Sequence, residues 1–111
     1  MELYDPASDT WVTTGPLGIQ GFGVGPLMRL FSHKVLLAGG TQSTYRGLVT
    51  TGESRLYDAS TNSWVETGSM NTPRSGHTVT LLPSGQVLAA GGTNTVAGKS
   101  TFLASVELYR P

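Results

Sequence analysis

Cysteine is absent from this chain of 111 residues. That excludes disulfide staples and thiolate metal sites, while leaving the compartment open. Charge is scarce: Asp, Glu, Lys and Arg make up 13% of the residues, with seven acidic side chains balancing seven basic ones. A neutral chain with a pI near 6.7 lacks the basic footprint that nucleic acid or an anionic membrane surface requires. No apolar run approaches the roughly 18–20 residues of a membrane-spanning helix. Met1 stands directly against strand-forming residues, so no signal peptide is expected. What remains is rich in Gly, Ser and Thr, with 15 glycines. This is the profile of an all-β protein with many turns rather than a helical or disordered one. The low charge and the Ser/Thr content suit an extracellular bacterial protein.

The chain repeats itself. Glu2-Leu3-Tyr4-Asp5 and Arg55-Leu56-Tyr57-Asp58 each run on to a tryptophan, Trp11 and Trp64, which stand 53 residues apart. A third copy of the opening, Glu107-Leu108-Tyr109, lies near the carboxyl end, and Gly39-Gly40 recurs as Gly91-Gly92 at a distance of 52. Repeats near 50 residues are characteristic of propellers and related arrays, in which one repeat is a unit that cannot bury its own faces.

Within the second repeat, 77–82 alternates polar and apolar residues, as a half-buried strand does. Pro83-Ser84-Gly85 reads as a tight turn. Gln86–Ala90 is a more continuous apolar run, fitting a strand covered on both faces, and it stops at Gly91-Gly92, where the chain can bend or admit another backbone. The polar stretch 93–101 reads as a loop, and 103–109 as a third strand. The earlier copies add an outer strand, Ser63–Thr67, after a turn of Ala, Ser, Thr and Asn. The unit is therefore four short antiparallel strands: inner, second, third and outer.

These markers resemble the kelch repeat. The likeness rests on Val-Leu-Leu-Ala-Gly-Gly at 35–40 and Val-Leu-Ala-Ala-Gly-Gly at 87–92, on the Tyr-Asp…Trp pattern at 4–11 and 57–64, and on Met70 to His77. It covers essentially the whole chain. It implies kelch-type β-propeller blades, each a four-stranded antiparallel sheet, set around a central channel. It also gives Gly39, Gly40, Gly91, Gly92, Tyr4, Tyr57, Tyr109, Trp11 and Trp64 structural roles: the glycine pairs end the second strands and the aromatics pack between sheets. A large aromatic buries on the order of 150–250 Å².

In blade order the chain reads third and outer strands (1–21), one complete blade (22–67), then inner, second and third strands (68–111), about two blades in all. Propellers typically close with 4–8 blades. The chain is thus expected either to self-associate into a closed ring, for example as a trimer giving six blades, or to be part of a longer one. The duplicated third strand favours a fragment; a methionine at the repeat boundary favours an assembling unit.

The resemblance places the partner-binding face of the ring at the connections between second and third strands (41–54 and 93–100) and between outer and inner strands (13–22 and 68–75). Arg74, followed by Ser75, is the sharpest candidate, since in kelch proteins that hold acidic peptides an Arg in this context points to the channel mouth and pairs with carboxylates. A planar guanidinium suits bidentate carboxylate recognition. The alternative is that Arg74 bonds loop carbonyls and steadies the blade. Its counterpart in the first repeat is Gly21. His77 opens an inner strand, where its copy is the apolar Val24, which favours packing over a ligand role. Tyr45 and Arg46 form an aromatic–cationic pair of the kind that anchors interfaces. Lys99 reads as a solubilising charge and His33 as a solvated turn residue. Gly21–Gly25 superficially matches a phosphate-cradling loop, but a strand follows it and not a helix. The histidines lie too far apart in the repeat to form a metal site. No cofactor is expected.

Two function classes follow. The first is a non-enzymatic scaffold or peptide-binding module, with an acidic peptide or a glycan stacking on Tyr45 as its ligand. The second is part of an enzyme like the galactose-oxidase type of copper radical oxidase, whose propeller resembles this one but whose cofactor needs a Cys–Tyr bond that a chain without Cys cannot make.

Overall fold

The computed structural model describes residues 2–13, 25–45 and 47–111. Among them every regular element is a strand, and all pairings are antiparallel. The expected all-β class and blade architecture are present.

The first complete sheet has four strands in the order β3-β4-β5-β6, formed by Leu27–Arg29, Val35–Thr44, Gly47–Asp58 and Ser63–Thr67. The second contains β7 (Thr78–Leu81), β8 (Val87–Ala90) and β11 (Val106–Tyr109) in the order β11-β8-β7. Near the amino end, β1 (Glu2–Asp5) and β2 (Thr10–Thr13) pair as a hairpin. The turns between inner and second strands are equivalent in the two repeats. Leu30 N donates to Lys34 O in one and Leu82 N to Gln86 O in the other, and His33 and Gly85 hold the corresponding positive-φ positions at 70° and 89°. His33 is exposed, as expected, and its Nδ1 lies 2.5 Å from Arg29 Nη2.

One expectation is corrected. Of the stretches read as loops, 41–44, 47–54, 93–96 and 99–101 are strand. β4 and β5 continue past the glycine pair as a long hairpin, with a register shift between Ala38 and Gly40. Residues 93–102 form a second hairpin, β9 (Thr93–Val96) with β10 (Lys99–Phe102). The Ser/Thr content reads as loop-like, yet Thr is β-branched and fits a pleated surface well. The turn of the second hairpin, Ala97-Gly98, takes φ of 51° and 80°. Positive φ at both central residues is the type I′ geometry whose twist matches the flanking strands.

The apolar core lies between the two blades: Leu30, Leu36, Ala38 and Val87 form the buried cluster, flanked by Met28, Leu56, Val79, Leu81 and Tyr109. The blade aromatics pack as the repeat implies. Tyr57 is 3% exposed and Trp64 half-buried, with ring centroids 5.2 Å apart. The Tyr57 hydroxyl donates to Asn62 Oδ1 at 2.7 Å, tying strand to turn. Tyr4 and Trp11 repeat this pairing at 5.3 Å but are 46% and 64% exposed.

Candidate functional site

The segment joining β6 to β7 runs along the seam between the blades and is stitched to both. Towards the first blade, Met70 N donates to Gly52 O at 2.8 Å and Gly40 N to Arg74 O at 2.7 Å. Towards the second, Ser75 and Thr93 exchange two backbone hydrogen bonds, each 2.9 Å.

Arg74 completes the stitch, and of the two roles read from the sequence, a carboxylate receptor at the channel mouth or a residue that bonds loop carbonyls and steadies the blade, its contacts match the second. Its side chain is fully buried. Nη1 donates to Gly91 O (3.0 Å) and Ser105 O (2.8 Å), Nη2 to Ser105 Oγ (2.7 Å) and Glu107 Oε2 (3.2 Å), and Nε also to Glu107 Oε2 (3.3 Å). A guanidinium has five N–H donors, and intramolecular acceptors occupy its fork. Arg74 does meet a carboxylate, but it is Glu107 of its own blade. That carboxylate also accepts from Asn71 N at 2.6 Å and Thr72 N at 3.0 Å. Burial pushes the Glu107 carboxyl up, but these two amides and the guanidinium together hold it below the ordinary Glu value.

Ser75 is part of the same seam, its hydroxyl 3.4 Å from Thr93 Oγ1. His77 is buried, and neither ring nitrogen has a hydrogen-bond partner. Burial lowers its pKa, outweighing an opposing pull from the Ala38 backbone, and the Arg74 charge adds a smaller lowering. The structure therefore places His77 in the packing of the seam and not at a ligand surface. Because the folded pKa is depressed, its contribution to stability is complete above the unfolded value of about 6.5 and declines as pH falls below it towards the folded value. His77→Phe is expected to flatten the stability profile as pH falls below about 6.5. Urea titrations across that range test this, and an unchanged acid slope would remove His77 as its origin.

The two most exposed large apolar side chains among the described residues are on the two hairpins that corrected the loop expectation. The hairpins lie side by side: β5 contacts β9, and Thr95 N donates to Thr50 Oγ1 at 2.8 Å. Tyr45, in the turn between β4 and β5, is 91% exposed, and Phe102 on β10 is 88% exposed. Leu48 and Val96 are exposed too. Arg46 lies outside the described residues, as does most of the Gly21–Gly25 stretch. Sequence reasoning found Tyr45 but missed Phe102, Leu48 and Val96, because a stretch read as loop gives no reason to ask which side chains alternate outward. Among the described residues, no group of three His, Cys, Asp or Glu side chains could hold a metal ion.

Sheets of this kind, meeting along an apolar seam and linked outer strand to inner strand, are blades of a β-propeller. No family model matches the chain. It is 32% identical over 96 residues to mouse Kelch-like protein 28, covering 83% of this chain and 16% of that one. The solved structure of YjhT superposes with a TM-score of 0.67 at 18% identity, over 77% of this chain and 25% of the other. The chain thus spans well under half of either protein. With the Gly-Gly, Tyr and Trp markers in place, it belongs to the kelch-repeat family.

Proposed function

We propose that the chain is a non-enzymatic propeller module that binds a peptide or protein segment on its paired hairpins, within a ring closed by self-association or by further blades. The observation that carries this reading is the exposure of Tyr45 and Phe102 on adjacent hairpins. Exposed aromatics on a rigid strand scaffold are suited to act as interface anchors, since they give up little conformational freedom on binding. By sequence the segments 41–54 and 93–102 contain two basic residues, Arg46 and Lys99, and one acidic residue, Glu53, which pairs with Arg55 at 3.7 Å. Such a surface favours an acidic partner with an apolar anchor, through electrostatic complementarity.

A displayed random-peptide library selected on the protein tests this. Enriched sequences should be acidic and carry an aromatic or aliphatic anchor. Tyr45→Ala combined with Phe102→Ala should weaken their binding at least tenfold without changing the unfolding midpoint, because both side chains lie in solvent. Enrichment that ignores both residues, or binding of glycans in place of peptides on an array, would count against the reading.

A further inference from the structure

We propose that His77 makes the seam a pH switch: a proton taken up by its ring parts the β4–β5 and β9–β10 hairpins and releases the segment they hold. The release rests on the binding reading above; the parting of the hairpins does not.

His77 stands where both blades and the segment between them meet. From the first blade, the Ala38 carbonyl of β4 lies close enough to favour a proton on the ring. From the second, Gly92 backs onto it: a Cβ there would lie 2.9 Å from His77 Cβ and 3.0 Å from its N. The residue is 7% exposed, and neither ring nitrogen makes a hydrogen bond. A neutral imidazole bears such a site far better than an imidazolium, whose two N–H donors and full charge all need partners.

The seam offers the Ala38 carbonyl and no anion. β4, β7, β8 and β9 carry no charged side chain, and residues 14–24 carry no titratable one. From its own segment His77 feels Arg74, a fixed cation. The carboxylates of the adjoining strands are committed, Glu107 on β11 to Arg74 at 3.2 Å and Glu53 on β5 to Arg55 at 3.7 Å. Glu107, held below the ordinary Glu value, keeps its charge across the range in which histidines titrate. Proton uptake at His77 therefore sets a second cation beside the first, and the ring is relieved by moving to water.

The backbone decides what moves with it. Ser75, two residues earlier, exchanges two hydrogen bonds with Thr93, the first residue of β9. β9 in turn rests on β5 through Thr95 N and Thr50 Oγ1. Gly91 and Gly92, with φ of 68° and 86°, form the joint between β8 and β9. Displacing His77 from Gly92 pulls on the Ser75–Thr93 pair and swings the hairpin that carries Phe102, while Tyr45 stays with the first blade. A segment that needs both aromatics binds only the closed form, so protonation and binding oppose each other reciprocally. For one proton the affinity loss approaches about tenfold per pH unit below the folded pKa.

The absence of cysteine makes the test direct. Leu48→Cys with Val96→Cys places one nitroxide on each hairpin, at exposed positions of β5 and β9. Pulsed electron resonance should give a single separation at about pH 7.5, joined by a longer one towards about pH 5, with far-UV circular dichroism unchanged. In unlabelled His33→Asn the one remaining imidazole is His77, and its NMR titration should share its midpoint with the longer population. His77→Val, the residue of the first repeat at this place, should keep the short separation throughout. An acidic, aromatic-bearing peptide from the display selection should weaken by up to about tenfold per pH unit on the parent chain and hold constant on His77→Val. The switch is overturned by a separation that ignores pH, by a midpoint unlike that of the His77 ring, or by His77→Val opening in the same way. Constant peptide affinity across an observed opening overturns the release. Opening at the His77 midpoint with no peptide bound at any pH leaves the switch standing and removes the binding reading.

Discussion

Arg74→Ala is expected to remove about 3–5 kcal/mol of folding stability, the usual cost of breaking a buried ion pair from one side. Domains of this size are typically stable by only ~5–15 kcal/mol, so the variant should lose a large fraction of its total stability. The loss has several parts. The Glu107 carboxylate, whose side chain is only 16% exposed, would keep its charge without its counterion. The carbonyls of Gly91 and Ser105 would lose the donor that bridges them. Arg74→Lys should fall between, because an ammonium cannot reproduce the planar fork that spans three residues. Replacing both partners, Arg74→Met with Glu107→Met, should recover part of the loss by removing the stranded charge. Recovery will be incomplete because Asn71 N and Thr72 N also lose their acceptor. Urea unfolding followed by tryptophan fluorescence measures all four proteins. A loss below about 1 kcal/mol for Arg74→Ala would mean that the pair behaves like an exposed one.

The same pair predicts an acid limb. The Glu107 carboxyl is held below its ordinary value in the folded protein. Its contribution is therefore present above the unfolded value of about 4.3 and is lost as pH falls through the lower folded value. Its loss begins at a lower pH than the loss assigned to His77, so the onset of each limb distinguishes the two groups.

The repeat made most of the fold legible. Tyr57, Trp64 and the glycine pairs are spaced by the geometry of a blade, and chemistry that recurs at a fixed period reports geometry directly. The register of β1 with β2 follows from the same markers. The hairpins at 41–54 and 93–102 were hidden because Thr-rich polar segments serve equally as loop or as solvent-exposed strand. What decides between them is the turn, and Ala97-Gly98 is a weaker signal than Asn-Gly. Arg74 was legible as a residue that steadies the blade through loop carbonyls, but its carboxylate partner was not. One sequence shows that an Arg precedes the inner strand; it does not show that Glu107, more than 30 residues later, is folded against it. The partner carboxylate stands where Arg55 stands in the first repeat. There the charge is reversed, and Arg55 pairs with Glu66 at 3.2 Å across to the outer strand.

Gly92→Ala is expected to cost about 2–5 kcal/mol, combining a left-handed backbone penalty of about 1–2 with about 1–3 for overpacking. Gly92 has φ of +86°, and a Cβ there would lie 2.6 Å from Ser75 O, 2.9 Å from His77 Cβ and 3.0 Å from His77 N. Two of those atoms are backbone, and the Ser75–Thr93 pair of hydrogen bonds fixes the strands on either side. The clash therefore cannot be relieved by turning a side chain. Gly98 supplies the control, with φ of +80° and nothing within 4 Å of the point a methyl group would occupy. Gly98→Ala should cost only the backbone part, about 1–2 kcal/mol. The difference between the two variants isolates the close approach of the inter-blade segment to the second blade. It also connects the seam to function. Gly92 immediately precedes β9, so a seam forced apart at this point moves the hairpin that carries Phe102 away from β5. Gly92→Ala should lose peptide affinity beyond what its folded fraction explains, whereas Gly98→Ala should bind in proportion to its folded fraction. Equal destabilisation by the two substitutions would mean that the seam yields to a methyl group at Gly92.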